Sequence, residues 1–396
     1  MTGHKRSARI IAAATGIAMT MAVGAAEAAD AVKIGLLTTL SGDGAGLGVD
    51  TRDGFMLAVT EAGGMLGGVP VDVRVVDDAR KPETAVQAAD RLVSEDKVAL
   101  MTGIVFSNLA LAVVPRVTRD DVIYVSSNAG PSQLAGAGCH PNYFNAAYQN
   151  DNLHEATGAA VEQAGVKRMV LIAPNYPAGK DSLTGFKRYF KGEVVDEIYT
   201  KLGQLDYAAE IAKVRADKPD GVFIFLPGGM GINFVKQYDQ AGLKGDIKLF
   251  GPAFSFDQDV LPAVGDAALG VINGAQWSLD LDNAANKAFV AGFEAAYDRL
   301  PSVYAMQGYE AAHIMGAGLK AAGGDVSKLD DLRAGMRKAD FDSVRGEFRF
   351  GTNQHPVQDL YAREVVKDDK GRLVNRIVSK VFDDHVDAYA ADCKMN

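Results

Sequence analysis

Two rhythms of apolar residues alternate along this chain. Short continuous runs rich in Val, Ile and Leu are followed by longer stretches in which apolar residues recur every three or four positions. The first pattern fits buried strands and the second fits helices with one buried face. Residues 32–37 form the first run, and 50–62 then place Phe55, Met56 and Val59 on one helical face. A strand at 71–76 precedes a helix over 82–97. There Pro82 opens the first turn, Glu83 follows it, and Val86, Ala89, Leu92 and Val93 keep helical spacing. A strand at 99–104, a helix at 110–117 and a strand at 122–125 complete the series.

The pattern restarts after Gln149. Strands at 168–173, 194–199, 221–226, 248–250 and 270–276 alternate with helices near 183–190, 207–216 and 231–241. Strand–helix alternation of this kind calls for a parallel sheet covered on both faces. Two such series in tandem predict an α/β protein of two doubly wound parallel-sheet lobes. Amphipathic helices at 283–299 and 304–322 come after the second series and are placed back on the first lobe. No low-complexity linker intervenes, as expected for lobes joined by several short hinge segments.

A chain of 396 residues exceeds one compact core, and 48% hydrophobic with 23% charged residues is ordinary for a folded soluble protein. The start is not ordinary. Lys5, Arg6 and Arg9 precede an apolar stretch at 10–23 and the small-x-small motif Ala26-Glu27-Ala28. This is the layout of a signal peptide over 1–28, cleaved near Ala28 for export to the periplasm. No cysteine lies near that cut, so a direct membrane anchor is not expected. Removing the leader takes the net charge from −9 to −11, because the leader carries three cations and Glu27. That acidity argues against nucleic acid and anionic membranes as partners. Cys139 and Cys393 are the only cysteines. In an exported chain they are expected to pair, closing a loop worth up to roughly 5 kcal/mol, the alternative being two unpaired thiols. Two cysteines and six scattered histidines offer no metal-ligand spacing, and no cofactor is expected.

In open parallel sheets ligands bind in the loops beyond the carboxyl ends of strands. Here those loops are 40–48, 104–109, 126–134, 174–182, 227–232 and 252–257, rich in Gly, Ser, Asn, Pro and aromatics. Ser107-Asn108 and Asn128-Ala129-Gly130 suit a carboxylate held by free backbone N–H groups, and suit ordinary helix capping equally well. Phe106, Tyr148, Tyr176, Phe225, Phe254 and Trp277 lie in or beside these loops and fit an apolar, flat-walled cleft, with Pro227 at one rim. Tyr176 stands out because no periodicity surrounds it. Lys180 and Arg345 are the cations whose directions decide whether a positive charge enters the cleft. Catalytic motifs are missing. In Ser41-Gly42-Asp43-Gly44-Ala45-Gly46 the third fingerprint glycine falls on Leu47 or Val49, and Gly179-Lys180 lacks the rest of a phosphate loop. No Gly-x-Ser-x-Gly elbow occurs, and Glu310 with His313 is a structural pair in type. An enzyme is not expected.

Several segments carry a family resemblance along essentially the whole chain after the leader. They are Val32-Lys33-Ile34-Gly35 opening into Leu40-Ser41-Gly42, then Arg52-Asp53-Gly54-Phe55, and Asp77-Asp78 before Ala85-Val86-Gln87-Ala88-Ala89. Thr102-Gly103 running to Leu111-Ala112 and Gln307-Gly308-Tyr309-Glu310-Ala311 continue the pattern. In this order the chain resembles the Leu/Ile/Val-binding branch of periplasmic binding proteins. The resemblance implies two lobes joined by three crossovers, a ligand trapped between them, and a monomer that serves the permease and ATPase subunits of an ABC importer. The implied lobes are 29–149 plus 278–354 and 150–277 plus 355–396. Ser107 and Asn128-Ala129-Gly130 are implied to meet a ligand carboxylate on the first lobe, with Tyr176 covering it from the second; Ser41, in the loop after the first strand, is a further candidate contact.

Two positions depart from the amino-acid binders. An acid that would pair with an α-ammonium is replaced by Ala253, and a hydroxyl residue is replaced by Gly130. An ammonium buried without a partner costs several kcal/mol. The segments 127–132 and 148–151 are more similar to the subgroup that binds aromatic carboxylates, such as benzoate or hydroxycinnamate derivatives. The alternatives are a binder of branched-chain amino acids, amides or urea, a ligand sensor, and a secreted hydrolase.

Overall fold

The computed structural model describes residues 1–4 and 31–395, so the features that suggested a signal peptide lie outside the described residues. The first βα series runs β1 (Val32–Thr38), α1 (Ala45–Glu61), β2 (Met65–Leu66), β3 (Val69–Asp77), α2 (Pro82–Ser94) and β4 (Leu100–Thr102). It continues through α3 (Ser107–Val117), β5 (Ile123–Ser126), α4 (Ser132–Ala135) and β6 (Tyr143–Asn145). The sheet order is β2-β3-β1-β4-β5-β6, parallel except for the β2–β3 hairpin. Every strand predicted for this half forms. The expected loop at 40–48 is partly helical, because burying Leu47 carries α1 back to Ala45.

The second series runs α5 (Asn152–Gln163), β7 (Arg168–Pro174), α6 (Pro177–Tyr189), β8 (Glu193–Thr200), α7 (Ala208–Asp217) and β9 (Gly221–Ile224). Then come α8 (Gly229–Gln240), β10 (Lys248–Pro252), α9 (Leu261–Val264) and β11 (Ile272–Ala275). The chain passes through α10 (Ala284–Tyr297), α11 (Val303–Ala322) and α12 (Leu329–Lys338); α11 packs against the first sheet, α10 against α1 and α12 against α11. It ends with β12 (Arg349–Phe350), β13 (Pro356–Lys367) and β14 (Leu373–His385) on the second sheet. That sheet has the order β12-β13-β11-β10-β9-β7-β8, with β14 on β13. Its β8-β7-β9-β10-β11 portion is parallel, while β13 joins antiparallel to β11 and β14. The sequence reading did not anticipate this hairpin. Repeated register shifts between Gln358 and Arg363 break the strict alternation that marks a strand.

Three segments join the two halves, at residues 146–151, 276–283 and 339–355. Arg345 ties the first to the third: it pairs with Glu310 at 2.9 Å and donates to the Ala147 carbonyl at 3.3 Å and to Gln358 at 2.6 Å. Both members of the Arg345–Glu310 pair are buried, so this cation is committed to the hinge rather than to a ligand. The second segment is held by Trp277, whose indole N–H donates to Asn286 at 2.6 Å, while Arg363 donates to its carbonyl at 2.8 Å. Trp277 is therefore a hinge core residue. Beyond β14 the tail turns back to the α4 region. Asn353 bridges Asp387 and the Ala135 carbonyl, and Cys393 is disulfide-bonded to Cys139 across 254 residues. Pairing of the two cysteines, one of two options from sequence, is what the fold shows.

A buried acid lies between the two halves. Asp259, in the loop before α9, has both carboxylate oxygens sealed from solvent without a hydrogen-bond partner among the described residues. It faces Asp50 of α1 and Asp257. Asp50 is spent on Arg299 and Ser302, each at 2.5 Å, and Asp257 on Arg363 at 2.7 Å. Burial, and then these two like charges, hold the Asp259 carboxyl well above the usual carboxylate range.

Two expectations follow from this packing. Replacing both cysteines by serine frees the tail and lowers stability by about 2–5 kcal/mol, measured by denaturant unfolding under oxidising conditions. Asp259→Asn mimics the protonated acid. The folded wild type resists ionising this group, so its stability falls as pH climbs above the ordinary carboxyl pKa. The variant is therefore expected to melt at least about 2 °C higher at pH 7.5, with the gap closing as pH falls toward 4.

Candidate ligand-binding cleft

A small, tightly walled cavity lies between the two sheets' carboxyl ends. The strand-to-helix loops of both halves reach it. From the first, the loop into α3 brings Val105, Phe106 and Ser107, and Asn128 follows β5. From the second, Tyr176 and Ala178 open α6, Phe225 and Pro227 follow β9, and Phe254 follows β10. Tyr148, Asn150 and His154 come from the first crossover and α5, and Tyr304 from the start of α11. Eight residues expected from sequence thus converge: Phe106, Ser107, Asn128, Tyr148, Tyr176, Phe225, Pro227 and Phe254.

The other expected residues do not line it, for local reasons. Ser41 is exposed and hydrogen-bonds Asp77. Asn108 is not a lining residue, and its side-chain oxygen is buried without a hydrogen-bond partner among the described residues. The Ala129 N–H is taken by the Ile104 carbonyl at 3.3 Å, and its own carbonyl accepts from Ser126 at 2.7 Å. The Gly130 N–H is taken by the Asn150 side-chain oxygen at 3.0 Å. Ala129 and Gly130 therefore have no free donor for a carboxylate, and only the Asn128 side chain of that segment reaches the cavity. Trp277 lies in the hinge, as described above.

The walls are aromatic. Tyr176 and Phe225 are nearly parallel, 9° between planes and 6.3 Å between centroids, and Phe106 leans on Tyr176 at 6.4 Å. Phe254 touches Tyr148 at 5.0 Å, Tyr304 at 5.7 Å and Phe225 at 6.0 Å. No lining side chain carries a charge at neutral pH. Burial, followed by neighbouring acids or phenols, raises the Tyr148, Tyr176 and Tyr304 hydroxyls far above their ordinary value, so all three stay protonated donors. His154, with no acid beside it, is pushed down to about 3 by burial and is neutral. Arg80 lies 5.6 Å over the Phe106 ring but is paired with Asp43 at 2.7 Å, and Lys180 is exposed.

Positive potential comes instead from backbone. The Ser107 and Asn108 N–H groups at the start of α3 have no acceptor among the described residues, nor do Ala178 and Gly179 in α6. Two helix N-termini, one from each half, thus point at one small cavity, an arrangement suited to an anion.

Polar contacts around the rim close the halves on each other. Asp181 accepts from the Ser132 hydroxyl at 2.9 Å, from the Ser132 N–H at 3.1 Å and from Asn150 at 2.9 Å. Burial raises the Asp181 carboxyl, opposed by these donors. The Gly229 N–H reaches the Asp43 carbonyl at 3.3 Å.

The pattern shared by proteins described as Periplasmic binding protein matches residues 31–371. The chain belongs to that family. A benzoate complex of an ABC-transporter solute-binding protein from R. palustris superposes with a TM-score of 0.87 at 37% identity, covering 92% of this chain and 100% of the other. A second, from Rhodopseudomonas palustris BisB5 with 3,4-dihydroxybenzoic acid, gives 0.85 at 32% identity, covering 91% and 99%. The Leu/Ile/Val-binding protein homolog 6 of Brucella melitensis is 29% identical over 378 residues, covering 92% of this chain and 95% of that protein. As a member of this family the chain is a type I solute-binding protein of the ABC-transporter kind, a class of binders rather than enzymes. No helix among the described residues is long and apolar enough to cross a membrane.

Five lining residues escaped the sequence reading: Val105, Asn150, His154, Ala178 and Tyr304. Four sit in or beside segments already singled out. His154 gave no signal, because α5 itself was not predicted. Nearly every residue from Asn152 to Val161 is buried, polar ones included, so no amphipathic period exists to detect.

The hydroxyl residue that amino-acid binders place at Gly130 has no room here. A Cβ at that position would fall 2.2 Å from the Tyr148 carbonyl oxygen and 2.7 Å from the Asn145 amide nitrogen. Gly130→Ala is expected to cost about 1–3 kcal/mol by forcing these loops apart, measured by denaturant unfolding.

Proposed function

We propose that this protein captures a small aromatic carboxylate of the benzoate or hydroxycinnamate type in the periplasm and presents it to the permease and ATPase subunits of an ABC importer. The chemistry of the cavity carries this reading: aromatic walls, no charged lining side chain, and helix N-termini from both halves. The carboxylate sits against the Ser107 N–H group and the start of α6, where neutral donors hold it. The ring lies among Phe106, Tyr176, Phe225 and Phe254, with Asn128 and Tyr148 as side-chain donors. The benzoate and 3,4-dihydroxybenzoic acid in two similar solved proteins support the same class.

The name of the Brucella relatives supports a second reading, a branched-chain amino acid. Against it, an α-ammonium would meet no acid in this cavity. Ala253 is fully buried and outside the lining, and Asp181 is occupied by Ser132 and Asn150.

No chemical step is needed. The moving bodies are the lobes 29–149 plus 278–354 and 150–277 plus 355–396, acting as a monomer exported after cleavage near Ala28. Ligand contacts with both lobes raise the closed population by their differential affinity. Opening breaks the Ser132–Asp181 and Asp43–Gly229 contacts.

The test is a thermal-shift screen of the protein beginning at Ala29. The panel contains benzoates, hydroxycinnamates, phenylacetates, amino acids and short amides. A ligand at about a thousand times its Kd adds roughly 4 kcal/mol. Shifts with aromatic acids and none with leucine, isoleucine or valine are expected. The reverse result keeps the transport role and replaces the ligand class.

A further inference from the structure

His154 is a cavity residue whose chemistry the binding of a plain aromatic carboxylate leaves unused. It sits in the first turn of α5, which lies hard against the second sheet. A Cβ on Gly274 would fall 2.3 Å from the Leu153 carbonyl oxygen. One turn further on, the Thr157 hydroxyl bonds the Gly251 carbonyl and receives the Gly274 N–H, both at 3.1 Å. The backbone of His154 is thus fixed from both sides.

Its ring is wedged edge-on against Phe223 at 5.8 Å and Phe225 at 4.9 Å, and leans on Phe254 at 6.3 Å. Phenylalanine would satisfy every one of those contacts. An imidazole there surrenders its hydration, and no hydrogen bond to the described residues returns it. Nδ1 is sealed without a partner, so Nε2 is the nitrogen left with access to the cavity that His154 lines. With Nδ1 sealed, Nε2 is the ring nitrogen that can exchange a hydrogen bond with a ligand, and the tautomer protonated there offers it as a donor. The result is a single neutral N–H donor facing the ligand.

The position of that donor is informative. Ring contacts run from Phe106, next to the α3 N-terminus, through Tyr176 and Phe225 to His154. With its carboxylate at the α3 N-terminus, a ligand ring lying along these walls extends toward the imidazole. We infer that His154 is a specificity residue that hydrogen-bonds a hydroxyl on the ring edge remote from the carboxylate, making hydroxylated aromatic acids the preferred ligands over benzoate. This rests on reading the cavity as an aromatic-carboxylate site. A site built around a hydrogen bond discriminates against the analogue that leaves its donor unpaired.

The experiment is isothermal titration at pH 7.5 of benzoate, 3-hydroxybenzoate and 4-hydroxybenzoate into the wild type, His154→Phe and His154→Gln. The wild type is expected to bind at least one hydroxybenzoate about tenfold or more tighter than benzoate, the value of one well-placed hydrogen bond. His154→Phe collapses that ratio to about one. His154→Gln, which keeps an amide donor near the Nε2 position, restores part of it. A purely packing role would lower all three affinities together and leave the ratio intact, which overturns the inference. So does a wild type that binds benzoate as tightly as the hydroxylated acids, although the aromatic-carboxylate reading then stands. A wild type that binds none of the three sinks both.

Discussion

The side chain of Asn150 is the point on which the cleft depends. Its oxygen accepts the Gly130 N–H at 3.0 Å, and its nitrogen donates to the Ser107 hydroxyl at 3.1 Å and to Asp181 at 2.9 Å. Its own backbone N–H returns to the Gly130 carbonyl at 2.8 Å. One amide on the first crossover therefore fixes the loop after β5, the start of α3 and the start of α6. Those segments carry the unpaired N–H groups at the helix starts of both halves. The close approach of the backbone at Gly130 follows, and that approach is why the position admits no side chain.

The electrostatics of the cleft follow from the same economy. Charges close to the ligand space are neutralised before they reach it: Arg80 by Asp43, Arg345 by Glu310, Asp181 by Ser132 and Asn150. What faces inward is neutral: phenols that burial keeps protonated, an imidazole that burial keeps unprotonated, and amide N–H groups. In a low-dielectric pocket such fixed dipoles hold one anion well without the desolvation penalty of an ion pair. They also offer no unpaired acid to a second, positive charge.

Motion and stability pull on the same seam. The hinge is built from buried polar groups, Arg345 with Gln358 and the Ala147 carbonyl, and Arg363 with Asn273 and the Trp277 carbonyl. Directional bonds of this kind hold the crossings in register, while the contacts that meet across the cleft mouth are few and polar. Asp259 works against them, a sealed acid opposite Asp50 with no cation to spare. The disulfide-linked tail adds a further connection between β14 and the α4 region.

The short β2 and β6 were not legible in the sequence, but most strands of both βα series were: β1, β4, β5, β7 and β9 as buried apolar runs and the half-exposed β3 and β8 as Val-rich ones. So were the aromatic loop residues Phe106, Tyr148, Tyr176, Phe225 and Phe254, since loops at strand ends are where this architecture puts ligands. Trp277 read the same way and turned out to be hinge core, because composition cannot tell a wall from an interior. α5 and the β13–β14 hairpin left no periodic trace: one is buried on nearly all sides, and the other is broken by register shifts. Only the tertiary structure decided that Asn150, rather than a ligand, takes the Gly130 N–H, and that His154 faces the cavity. Both depend on contacts between segments far apart in sequence, where hydrogen-bond partners are set by packing and not by the residue's own neighbours.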